Sequence, residues 1–214
     1  RNTLLNHVVS GNLQSTALTN GYVKTSATNG DGDALDLYVD IRSGVLLNGV
    51  ATVTAPNNIV SNGVIHVVDE VIALPTVVTL AVANPDFSNL VTAVGQEGLV
   101  PTLNSAGPFT VFAPLNSSFD ALIAELPSLN NINDVLALTN LTDVLTYHVL
   151  PSAVRAEDIT NGITPSTVQG GTFTINTTGG VNITDGQARV TPVLVTNVTA
   201  TNGVVHAIGR VLLP

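Results

Sequence analysis

Two short stretches of this chain occur twice, and the distance between the copies is nearly constant. Asn62-Gly63-Val64-Ile65-His66 returns as Asn202-Gly203-Val204-Val205-His206, 140 positions on. Leu5-Asn6-His7-Val8-Val9 returns as Thr146-Tyr147-His148-Val149-Leu150, 141 positions on. Both copies close on an apolar run and a proline, at Leu74-Pro75 and Leu213-Pro214. A period of that length marks a repeated folding unit within the usual size range of a domain. The 214 residues then hold one complete copy, 76–214, and the C-terminal half of another, 1–75.

The complete copy contains a stretch that the half copy lacks, Gly107–Phe119, with the sequence GPFTVFAPLNSSF. Phe109-Thr110-Val111-Phe112 is a strand-forming run of aromatic and β-branched residues. Pro114 stops it, having no N–H for a ladder. Asn116 or Ser117 can then cap a helix whose apolar face begins at Phe119, Leu122 and Ile123, and Ser117 with Asp120 has capping-box spacing. Strand, proline corner and helix form a structural device.

Around it, Leu80, Val82 and Ala83 have helical spacing up to Pro85, and Phe87, Leu90, Val91 and Val94 form a second stripe ending near Gly98. Two more helices are expected over 132–138 and 141–149. Beyond Pro151 the pattern changes to strands. Thr172–Asn176 turns through Gly179-Gly180 into Val181-Asn182-Ile183, and Arg189–Val193, Leu194–Val198 and Val204–Leu212 follow. The half copy carries Leu35–Ile41, which alternates strictly, and Val64–Ile72. Helices in one half of the module and strands in the other predict an α+β fold.

Three of these features together resemble the fasciclin domain. The Gly107–Phe119 stretch, with Thr110, Phe112, Pro114, Asn116 and Phe119, is similar to that family's first signature. Tyr147-His148 resembles its Tyr-His motif, and Thr201–Leu212, with Asn202, Gly203 and His206, resembles its second signature. The resemblance implies an extracellular or cell-surface structural and adhesive module, secreted, in a tandem array or filament. Animal members carry proposed integrin-binding segments with an Asp-Ile pair before the second signature. The matching positions are read here as Asn58-Ile59 and Asn197-Val198, which lack the carboxylate that a metal-dependent contact needs.

Composition narrows the alternatives. Fifteen acidic against six basic residues give a net charge of −9, which disfavours nucleic acid and anionic membranes as partners. No apolar run reaches the ~18 residues of a membrane span. The chain has no Cys, Trp or Met, and the lack of Met reads as a processed chain or an excised segment.

Candidate chemistry is sparse. His7, His66, His148 and His206 sit in apolar runs and read as buried rings that hold backbone groups. Asn29, Asp31 and Asp33 alternate as at the opening of a calcium loop, with Asp40 at the twelfth position, but Ala34 stands where such a loop needs Gly. A flexible hairpin tip is the alternative reading. There is no nucleophile elbow, Walker loop or dinucleotide fingerprint, so no enzyme and no cofactor are expected. Sequons at Asn116, Asn140, Asn176, Asn182 and Asn197 would be glycan sites in a eukaryotic secreted protein. Expected partners are proteins or matrix glycans. Residues 1–75 are expected to be completed by an upstream piece of the parent chain or by a neighbouring subunit. The competing class is a soluble binding protein for glycan, lipid or calcium, which a deep apolar cleft would favour.

Overall fold

The α+β reading holds in a computed structural model that describes all of Arg1–Pro214. The chain forms two units, Arg1–Pro85 with Val198–Thr201, and Asp86–Asn197 with Asn202–Pro214. No single helix is long and apolar enough to cross a membrane.

In the first unit, α1 (Asn2–Leu5) precedes β1 (Gly21–Thr28), β2 (Ala34–Asp40), β3 (Leu46–Leu47), β4 (Ala51–Val60) and β5 (Gly63–Val68). The sheet order is β1-β2-β3-β4-β5, antiparallel throughout, with β5 at one edge. Alternation in 35–41 predicts one solvent-facing side for β2, yet all of Leu35–Val39 is buried. The supposed outer face is covered as well. Asp36 is ion-paired to Lys24 at 2.6 Å, and Tyr38 meets Tyr22 edge-on with ring centroids 4.9 Å apart. The Tyr22 hydroxyl donates to the carbonyl of Leu80 at 3.0 Å, on α2 (Val77–Ala83), which Thr76 and Thr79 start with a capping box.

In the second unit the helices are α3 (Ser88–Gln96), α4 (Val100–Leu103), α5 (Asn116–Glu125), α6 (Ile132–Leu136) and α7 (Leu141–Tyr147). The strands are β6 (Phe109–Pro114), β7 (Val149–Leu150), β8 (Thr174–Asn176), β9 (Asn182–Thr184), β10 (Val190–Ala200) and β11 (Gly203–Ile208). They are ordered β7-β6-β11-β10-β9-β8, with β6 parallel to β11. The helix expected over 141–149 ends at Tyr147, because Val149 and Leu150 pair with Val111 and Thr110 of β6. The runs at 189–193 and 194–198 join as one strand, β10.

Asn116 does not cap its own helix. The N-cap of α5 is Leu115, which makes no side-chain cap, and Asn116 and Ser117 already lie in the helix. Asn116 serves α3 instead. Its Oδ1 accepts from the Asn89 N–H at 3.0 Å, and its Nδ2 donates to Ser88 Oγ at 2.9 Å. The N-cap of α3 is Phe87, which has no acceptor of its own, so a neighbouring helix fills the vacancy. Asn116→Ala should therefore cost about 1 kcal/mol in urea unfolding, with lost protection in the first turn of α3 rather than α5. Ser117→Ala should stay within about 0.5 kcal/mol.

Candidate functional site

Most of the residues singled out by sequence lie around the parallel pair β6 and β11. The pairing runs without a break from Gly203 opposite Phe109 to Ile208 opposite Pro114, and it sets His206 opposite Phe112. Approach is closest at the glycines. A Cβ on Gly203 would lie 2.1 Å from the Phe109 carbonyl oxygen, and one on Gly107 would lie 2.2 Å from that of Asn202. Only glycine lets the two backbones meet there. Asn202 locks the entrance by donating through Nδ2 to the carbonyls of Leu103 and Ser105, both at 2.8 Å.

Buried side chains secure the pair. The Thr110 hydroxyl donates to the Ser152 carbonyl at 2.6 Å and accepts from the Val154 N–H at 2.8 Å. The Phe112 ring stacks on His206 with centroids 5.3 Å apart and meets Phe173 edge-on at 5.2 Å. Tyr147 meets Phe173 at 5.7 Å and donates its hydroxyl to the Thr172 carbonyl at 2.6 Å. Phe119 is buried on α5, and Pro114 closes β6.

The histidines are main-chain brackets. His148 Nδ1 donates to the Val144 carbonyl at 2.7 Å, and its Nε2 accepts from the Leu212 N–H at 2.9 Å. His206 Nε2 donates to the Val154 carbonyl at 2.9 Å, while its Nδ1 accepts from the Asn197 N–H at 3.3 Å. Each ring thus donates once and accepts once, as neutral imidazole does. Burial pulls His148 down to about 4, and burial lowers His206 as well.

The first unit repeats these bonds except at His66 Nδ1, which is buried and makes no hydrogen bond. His7 Nδ1 lies 2.8 Å from the Thr3 carbonyl, and its Nε2 accepts from the Ile72 N–H at 3.0 Å. His66 Nε2 lies 2.8 Å from the Leu13 carbonyl. Asn57 Oδ1 accepts from the Ser15 N–H at 2.8 Å, as Asn197 Oδ1 does from Ala156 N–H at 2.9 Å, and both Asn residues have positive φ, 61° and 58°. Asn57, rather than the Asn58 read from sequence, is therefore the counterpart of Asn197. The expectation of four buried histidines also needs correction, because His7 is exposed and His66 only half-buried. Asn6, where the second unit has Tyr147, is buried and donates to the carbonyls of Ile72 at 3.3 Å and Ala73 at 3.0 Å.

At the calcium candidate, Asn29 Oδ1 accepts from the Asp31 and Asp33 N–H groups at 3.0 and 2.8 Å, and Asn29 Nδ2 donates to the Asp33 carboxylate at 3.3 Å. That is an Asx-type hairpin tip whose oxygens bind the loop's own amides. Asp40 lies at the end of β2, ion-paired to Arg42 at 3.3 Å. No group of three His, Asp or Glu side chains is arranged to hold a metal ion. Four sequon amides are engaged within the fold, Asn116 with Ser88, Asn176 with Thr184, Asn182 with the Gly180 carbonyl and Asn197 with Glu157.

Sequence reading missed the network at the C-terminus. Buried Asp185 takes Arg189 at 2.7 Å and the Leu213 N–H at 3.1 Å, and Arg189 donates to the Val211 carbonyl at 2.7 Å. The i, i+4 spacing of Asp185 and Arg189 was its signal, hidden because these residues lie in a turn and not in a helix. Asp185 and Arg189 thus hold the main chain at Leu213 and Val211.

An α+β module bracketed by buried histidines, with a glycine-gated parallel strand pair, is the class that this geometry defines. The profile of the Fasciclin domain matches residues 1–75 and 85–214, and the chain belongs to that family. Protein sll1483 of Synechocystis sp. is 38% identical over 144 residues, 65% of this chain and 73% of that protein. Transforming growth factor-beta-induced protein ig-h3 of Sus scrofa is 30% identical over 216 residues, all of this chain and 30% of that protein. A domain pair from the insect cell adhesion molecule Fasciclin I has the same fold, with a TM-score of 0.64 at 20% identity, covering 100% of this chain and 79% of that one.

Two outcomes are expected. Gly203→Ala should cost about 1–3 kcal/mol or more in urea unfolding, whereas Gly63→Ala, whose Cβ would meet nothing within 4 Å, should be close to neutral. For His148, the folded value lies below the unfolded one, so only the unfolded chain takes up the proton between about pH 6.5 and 4. Its contribution is complete above that window and falls by about 3 kcal/mol across it as pH drops. His148→Gln should flatten the corresponding slope of stability against pH.

Proposed function

We propose that this chain is a structural and adhesive segment of an extracellular or cell-surface protein, without enzymatic activity, built from modules in tandem. Residues 76–214 form a complete module in this reading, and 1–75 the C-terminal half of a first. The observation that carries it is the recurrence of the same histidine and asparagine bonds at His7, His66 and Asn57 and at His148, His206 and Asn197. Repeating a scaffold whose histidines and asparagines hold its own main chain suits spacing and multivalent contact. The insect protein from which the domain pair comes, Fasciclin I, is a cell adhesion molecule, which points the same way. Its contacts are with proteins or matrix glycans.

A soluble binding protein for lipid or glycan is the competing reading, and an open apolar pocket of about 350 Å³ in the first unit is what would favour it. Its lining residues Leu13, Leu18, Val68 and Ile72 correspond at the repeat spacing to Val154, Ile159, Ile208 and Leu212, which pack with Phe112, so the pocket matches core space of the repeat better than a ligand site.

The test is attachment of beads coated with residues 1–214 to cells and to matrix-coated surfaces. Attachment that persists in a chelator is expected. Its absence from every surface would defeat the adhesive reading. Asn197→Ala should leave attachment unchanged; cation-dependent binding that disappears in this variant would show integrin-type recognition instead.

A further inference from the structure

Beyond β11 the chain runs as a strap, Val211–Pro214, whose carbonyls and amides are held by different kinds of group. Permanent donors hold the carbonyls. Arg189 Nη2 donates to that of Val211 at 2.7 Å, the Gly186 N–H to that of Leu213 at 3.1 Å, and Gln187 Nε2 to that of Pro214 at 2.8 Å. The adjacent N–H groups of Leu212 and Leu213 go to acceptors that titrate, His148 Nε2 at 2.9 Å and Asp185 Oδ2 at 3.1 Å. Val211 and Leu212 are buried, and Leu212 belongs to the cluster around Phe112.

Neither acceptor has room for a proton while the strap is closed. On His148 a second proton would set Nε2–H against the Leu212 N–H, donor against donor, because Nδ1 already donates to the Val144 carbonyl. Asp185 serves the N–H groups of Leu213, Gln187 and Arg189 and the Arg189 guanidinium, so a proton on either oxygen displaces one of them. The other charged or titratable groups around the two acceptors are Glu125 of α5, which Arg189 and Arg210 both meet, and Tyr147 of α7. The first unit lacks this arrangement. Val45 and Gly49 stand at the repeat spacing from Asp185 and Arg189, and neutral Asn6 holds the carbonyls of Ile72 and Ala73.

We propose that the Val211–Pro214 strap is an acid-released latch, freed by proton uptake at His148 and Asp185 while the strand pair of β6 and β11 stays formed. Opening is the step that admits the proton. Burial holds His148 at about 4 in the closed strap, whereas a freed imidazole titrates near 6.5. Between these values the open state binds a proton that the closed state does not. Opening is then favoured about tenfold per pH unit as pH falls, about 300-fold across the window. The released strap uncovers the core around Leu212, an apolar site that acid alone exposes.

The test follows residue-resolved amide protection factors in residues 1–214 from neutral pH down to about pH 4. Protection at Leu212 and Leu213 should fall by that factor, ahead of any loss in Gly203–Ile208. A dye that fluoresces on apolar surfaces should bind over the same window with far-ultraviolet circular dichroism unchanged. His148→Gln should make strap protection independent of pH there. In case that variant does not fold, Asp185→Asn keeps an acceptor oxygen but loses the charge that faces Arg189. It should lower strap protection at neutral pH and retain the slope due to His148. Strap amides that lose protection only together with Gly203–Ile208 would overturn the proposal. So would pH-independent protection in the parent chain, an unchanged slope in folded His148→Gln, or full strap protection in Asp185→Asn at neutral pH.

Discussion

The second unit depends on two backbones running side by side in parallel. Strands β6 and β11 are distant in sequence, so their pairing closes a long loop and needs strong local reasons to form. Gly203 and Gly107 remove the side chains that would hold the strands apart. Thr110 and Asn202 satisfy backbone groups left over at the connections, and Phe112 fills the space beneath the pair. The ring of Phe112 lies on His206, and His206 holds the Val154 carbonyl, so strand pairing, core and loop anchoring share the same few residues.

The histidines extend that logic to the rest of the module. Each ring bridges main-chain groups that are remote in sequence, His148 joining the end of α7 to Leu212 and His206 joining β11 to Val154. A buried imidazole does this well because its two nitrogens can donate and accept without carrying charge. The same geometry at His7 survives where the ring is exposed, so it is set by the local backbone and not by burial.

Much of this was legible in the sequence because the signals are local or repeated. The α+β division followed from periodicity, and the repeat spacing foretold which histidines correspond. The strand at Phe109–Phe112 was visible from its β-branched and aromatic residues. What could not be read depended on residues far apart in the chain. Asn116 looks like a cap for the helix it begins, and only packing of α3 near α5 sends its side chain elsewhere. Alternation in Leu35–Ile41 concealed the cover that Lys24 and Tyr22 give to its polar side. Asp185 and Arg189 sit in a turn with no motif to mark them, and their task is defined by a chain end 28 residues away from Asp185.

Strands β5 and β11 are the same strand of the repeat, β11 bonded on both sides and β5 to β4 alone. Residue-resolved amide exchange on residues 1–214 tests it most directly. Amides of Gly203–Ile208 should be protected on both sides of the strand, whereas in Gly63–Val68 only those directed at β4 should be slow. Uniform slow exchange along Gly63–Val68 in the free chain would contradict it.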